Sequence, residues 1–163
     1  MRILASIVLG VMLVIGSDAI PQTAGTQIPE REVEAKLRIV ADLSQYKMPF
    51  MSRPKAFVVP AEWIQNQFCG DFRPCPVIGL FMNNRPNEVF ISDEVSADRR
   101  DEVLVHELVH WFQLRAGWSQ DTCEYTTAEE AEAYTVGYLY VLLYEKRPTR
   151  GFWIPNLRCS DSD

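Results

Sequence analysis

The five residues His106-Glu107-Leu108-Val109-His110 constrain this chain more than anything else in its sequence. Residues four apart on an α-helix share one face, about 6 Å apart along the axis, so both imidazoles can reach a single ion. Zinc accepts such ring nitrogens at about 2.0–2.1 Å. Glu107 projects beside that ion, where it can take a proton from a bound water and return it to a leaving amine. At ordinary residue frequencies the pattern arises by chance in well under about one percent of chains this long. The chain has only 2 histidines, and both lie in the motif. Val103, Leu104, Leu108, Val109 and Phe112 give the segment a wide apolar stripe, which predicts a buried helix from about Ala97 to Arg115, stopped by Gly117. The plain alternative is a core helix whose imidazoles are satisfied by hydrogen bonds.

A catalytic zinc takes three protein ligands and leaves one position for water. With no third histidine, the remaining ligand must be a carboxylate or a thiolate. Glu129, Glu130 and Glu132 lie together at the start of another helical stretch that runs to about Lys146. Thr126 or Thr127 can cap this helix, in the S/T-x-x-E pattern of a capping box. The alternative for each glutamate is a solvated acidic first turn favoured by the helix dipole.

An H-E-x-x-H helix followed by a glutamate on a second helix resembles the gluzincin group of zinc metallopeptidases. Glu130 lies 20 residues after His110, has the small Ala133 three positions on, and Glu130-Ala131-Glu132-Ala133 is similar to the E-x-E-A pattern of minimal gluzincins. The resemblance spans roughly residues 77–144 and is nearest to the pared-down form called a minigluzincin. It implies a zincin-like α+β fold, with a small, mostly antiparallel sheet packed on the motif helix and on a second long helix carrying the third ligand. It implies zinc held by His106, His110 and Glu130, with Glu129 and Glu132 as the other candidates for the third position. It also implies Glu107 as catalytic base and peptide-bond hydrolysis by zinc-activated water. The substrate is then an extended peptide or protein segment paired with a strand ahead of the motif helix, Val77–Met82 or Glu88–Ser92. The chain departs from larger relatives in having no substantial second lobe and no thiol placed to silence the metal. That departure motivates the other reading, a zinc-binding module without turnover.

Weaker candidates surround this set. Hydrolysis needs a donor for the oxyanion, and Tyr134, Tyr138, Arg115 and Tyr125 are in principle within reach. For the tyrosines the alternative is a packed helix face. Asp93 or Asp101 can orient an imidazole from behind. Trp111 reads as core, and Trp118 with residues 152–155 as packing beneath a tail disulfide.

The start of the chain is expected to be a cleaved export signal over residues 1–19. Arg2 supplies a positive start, Ile3 to Ile15 an apolar run too short to span a bilayer, and Ser17 and Ala19 small residues where a signal peptidase cuts. Residues 20–28 are then expected as a flexible mature N-terminus and 29–163 as a single domain. Export to the periplasm or the medium suits 4 cysteines. Three pairings exist. Cys69–Cys75 closes a tight turn, and Cys123–Cys159 ties the tail to the core, contributing on the order of 3–4 kcal/mol. A net charge of -6 argues against a nucleic-acid partner and against anionic membrane surfaces. A monomer with no membrane span after cleavage is the expectation.

Periodicity supplies the remaining elements. Val33, Leu37, Val40 and Leu43 predict a helix over Pro29 to Leu43, with Glu30 and Glu32 at its favourable end. Lys55 to Val59, between two prolines, predicts a strand, and Ala61 to Phe68 a short helix. Val77–Met82 and Glu88–Ser92, separated by Asn83-Asn84-Arg85-Pro86-Asn87, predict a hairpin.

Overall fold

The structure, a computed structural model, describes residues 25–48, 53–69, 76–118 and 123–148, with the side chains of 123–126 excepted. Its elements in chain order are β1 (Thr26–Gln27), α1 (Glu30–Leu43), β2 (Lys55–Val59), α2 (Ala61–Phe68), β3 (Gly79–Phe81), β4 (Glu88–Ser92), α3 (Ala97–Arg115) and α4 (Cys123–Tyr140). α4 runs on into a π-helical turn, Val141–Glu145, which Lys146 closes in the left-handed conformation. The fold class is α+β, as the element order predicts.

The four strands lie in the order β1-β2-β4-β3. β3 and β4 form the antiparallel hairpin that the turn residues predict, with Leu80 opposite Phe90. β2 and β4 pair in parallel, Phe57 opposite Phe90, which makes the sheet mixed. Parallel neighbours need a crossover, and here α2 and β3 supply it.

Side chains alternate across a strand, and β4 shows the consequence. Val89 and Ile91 belong to the large core formed with α1, α3 and α4, whereas Phe90 turns to the opposite face and meets Val59, Ile64 and Leu80. All three β4 residues are fully buried, because α2 covers one face and the long helices cover the other. α3 packs against α1, α4, β3 and β4. Its buried set therefore extends well round the helix, from Val103 to Gln113. Gly117, at φ 81, ends it as expected.

Two expectations need correction. Residues 20–28 are not loose throughout: Thr26 and Gln27 pair antiparallel with β2, and the Ile28 N–H donates to the Ala56 carbonyl at 2.8 Å. Ile28 joins the core, an apolar anchor that a nearly featureless segment conceals. α4 begins at Cys123, so Thr126 and Thr127 lie inside the helix rather than at its cap. A capping pattern is short and frequent, and it does not prevent a helix from starting a turn earlier. The expected signal peptide at residues 1–19, Cys75, Cys159 and residues 152–155 lie outside the described residues.

Candidate metal centre

α3 carries His106, Glu107 and His110 on the side facing β3 and α4. α4 brings its small residues to the crossing. Ala133 is fully buried, and a methyl group on Gly137 would stand 3.8 Å from the Glu102 carbonyl oxygen of α3. One turn before Ala133, Glu130 comes over the two imidazoles. His106 Nε2 and His110 Nε2 are 3.2 Å apart. Glu130 Oε2 lies 3.4 Å from the first and Oε1 3.3 Å from the second. These three residues form a group that can hold a metal ion.

The electrostatics follow from this packing. Burial disfavours a charged Glu130, but hydrogen bonds and attraction from both imidazoles prevail, and its pKa falls well below the usual carboxylate range. Burial likewise opposes protonation of His110. Glu130, the nearby Glu107 and the Gln113 oxygen outweigh it and raise the pKa to about 9. Glu107 is raised, chiefly because it is buried, against the pull of the two histidines.

Glu107 occupies space that only a glycine opposite leaves open. A Cβ on Gly79 of β3 would sit 2.3 Å from Glu107 Oε1 and 2.7 Å from Val103 Cγ1. The backbone N–H of Phe81, also on β3, donates to the Glu107 carboxylate. The motif glutamate is thus pinned between its own helix and an edge strand.

The other two glutamates are not among these three residues. Glu129 is buried, and its backbone carbonyl accepts a hydrogen bond from Gln113 Nε2 at 2.9 Å. Glu132 Oε2 accepts from Gln113 Nε2 at 2.9 Å and from the Tyr46 hydroxyl at 2.6 Å. Tyr134 lies against His106, ring centroids 4.5 Å apart at 65°. Its phenol pKa is raised by burial and by the charges of Glu130 and Glu107. Tyr138 stands four residues farther along α4. Arg115 turns to Asn87 at 2.6 Å and lies over the Trp111 ring.

Neither aspartate orients an imidazole. Asp93 accepts the Ala61 N–H at the start of α2, and Asp101 pairs with Lys36 and Tyr140. Gln113, overlooked in the sequence, fills that role: its Oε1 lies 2.8 Å from His110 Nδ1. The signal for it was present, since Gln113 is three residues after His110 and polar within an otherwise apolar helix face. Cys69 is disulfide-bonded, and Cys75, Cys159 and the side chain of Cys123 lie outside what the structure describes. Among the described residues no helix is long and apolar enough to cross a membrane.

Compared with protein-family models, curated proteins and solved structures, the chain gives no match.

Proposed function

We propose that this chain is an exported zinc-dependent hydrolase of the gluzincin type that cleaves peptide bonds, with His106, His110 and Glu130 as metal ligands. One observation carries the reading. Ligand atoms at about 2.0–2.1 Å around a tetrahedral zinc stand about 3.3–3.4 Å from one another. Here the two ring nitrogens are 3.2 Å apart, each faces its own Glu130 oxygen at 3.3 or 3.4 Å, and one donor atom from each of the three residues lies within 4.8 Å of the others. Two ring nitrogens and a carboxylate at such separations need a cation or protons among them, and the donor set is one that zinc favours.

Zinc, when bound, supplies a Lewis acid and lowers the pKa of a coordinated water to about 7. The chain supplies the rest. Glu107 accepts a proton at its carboxylate and passes it to the leaving amine, a task that a raised pKa serves. The Tyr134 phenol, beside His106, donates to the oxyanion. β3 stands at one end of the strand order, with Phe81 beside Glu107, and an extended peptide adds to such an edge through backbone hydrogen bonds. The disulfide at Cys69 accords with an oxidising compartment.

One observation favours the second reading, a zinc-holding module without turnover: Glu107 is only 6% exposed and already engaged by Phe81. Metal analysis and a peptide-library assay on wild type, Glu130→Ala and Glu107→Gln separate the two. A hydrolase carries about one zinc per chain, loses it in Glu130→Ala, and keeps zinc but loses about 10²–10⁴-fold in rate in Glu107→Gln. Zinc without any Glu107-dependent cleavage supports the module, and wild type without zinc removes both.

A further inference from the structure

Behind His110 a chain of hydrogen bonds joins α3, α4 and the segment that follows α1. Gln113 is 1% exposed, so its amide has to be satisfied by protein. Its Nε2 has two hydrogens and meets two acceptors, the Glu129 carbonyl and the Glu132 carboxylate, each at 2.9 Å. Neither partner can donate when Glu132 is ionised, so the orientation of the amide is decided by chemistry. Oε1 must then face His110 Nδ1, 2.8 Å away. An amide oxygen only accepts, so His110 Nδ1 carries a proton, and Nε2, facing His106 and Glu130, is the nitrogen left for a cation to take in place of a proton. Glu132 is held in turn by the Tyr46 hydroxyl at 2.6 Å, and the Tyr46 ring stacks on Phe112 of α3 at 5.5 Å.

We propose that Gln113 is a positioning residue of the metal centre, coupling the negative charge of Glu132, anchored by Tyr46, through its amide to the imidazole of His110. This deepens the metal-centre reading and rests on it. The arrangement does three things at once. It fixes the His110 tautomer and ring plane. It polarises the Nδ1–H bond and so makes Nε2 a better donor to a cation. It also ties α4, which carries Glu130, to the turn of α3 that carries His110, so both ligands share one brace. Outer partners of this kind typically govern metal affinity by about 10–100-fold.

The test is zinc affinity, by competition with a chromophoric chelator, together with ¹⁵N-histidine NMR. The set is wild type, Gln113→Met, Glu132→Gln, Tyr46→Phe and Glu130→Ala as the ligand control. Gln113→Met fills the same space without polar atoms and is expected to weaken zinc about 10–100-fold. Glu132→Gln and Tyr46→Phe remove only charge or only a hydroxyl, so they keep the fold testable if Gln113→Met does not express. Each is expected to weaken zinc by less and to move the His110 Nδ1-bound proton upfield, a shift that lost packing alone does not produce. Wild-type affinity and an unmoved proton in Glu132→Gln and Tyr46→Phe, with zinc lost only in Glu130→Ala, overturn the coupling and leave the metal centre standing. Wild type that binds no zinc overturns both.

Discussion

Gly79 of β3 makes room for the carboxylate of Glu107 on α3: a single methyl group there would reach within 2.3 Å of Oε1. Glu107 cannot retreat cheaply, since it is buried and hydrogen-bonded to Phe81. Gly79→Ala is therefore expected to cost about 1–3 kcal/mol of stability through overpacking. It should also displace Glu107 while zinc binding persists. Denaturant unfolding, metal analysis and the peptide assay on one sample read all three. A variant as stable and as active as wild type means that Glu107 is not held as described.

The contact of Tyr134 with His106 leads to a second expectation. Tyr134→Phe keeps the ring against the imidazole and removes only the hydroxyl. Zinc content should be unchanged and kcat should fall about 10²-fold, the scale of one lost oxyanion donor, with KM little altered. A fall in zinc content instead would assign Tyr134 to the support of His106.

Metal removal gives a third. A ligand that binds only the folded state stabilises it by about 2.7 kcal/mol at a free concentration 100 times Kd. Melting followed with zinc and with a chelator should differ clearly in wild type and hardly at all in Glu130→Ala. Glu129→Gln should keep the difference, because Glu129 meets Gln113 through its backbone carbonyl and is not one of the three grouped residues. Loss of the zinc effect in Glu129→Gln would move the third ligand to that residue.

A fourth concerns alkaline pH. Lys36 of α1 donates to Asp101 of α3 and to the Tyr140 hydroxyl of α4, which itself donates to Asp101. Burial opposes the Lys36 charge, but Asp101 and Tyr140 outweigh it and raise its pKa. Burial, opposed by Lys36 and aided by Asp101, pushes Tyr140 up to about 12. Both groups hold their protons longer folded than unfolded. Their stabilisation is complete below about pH 10, where the unfolded side chains still keep their protons, and is lost as pH rises through the folded values. Thermal melts from pH 8 to 12 should show a steep loss above about pH 10 in wild type and a shallower one in Tyr140→Phe. Parallel curves would remove this cluster from the alkaline limb.

Much of the secondary structure is local and was legible in the chain. The apolar period of α1, the prolines around β2 and the turn residues after β3 act within a few positions, and those elements stand where the pattern puts them. Beyond the β3–β4 hairpin, the pairing of strands was not legible. The short β1 has no pattern of its own, and the parallel β2–β4 register depends on residues some 30 positions apart meeting in space. Periodicity reports which face is apolar, not which neighbour covers it.

The candidate site divides in the same way. That His106, Glu107 and His110 share one helix follows from their spacing alone, because helix geometry is a property of the backbone. The choice among Glu129, Glu130 and Glu132 does not, since all three lie on one stretch of α4 and differ only in the direction they face. Ala133 and Gly137 let α4 close on α3 in one rotation, and that rotation aims Glu130 at the imidazoles and Glu132 at Gln113 and Tyr46. The sequence by itself determined the helices and the placing of His106, Glu107 and His110 on one of them, because those depend on neighbours along the chain. The tertiary structure decided which carboxylate meets the histidines and which side chain orients them, because that depends on how two helices pack.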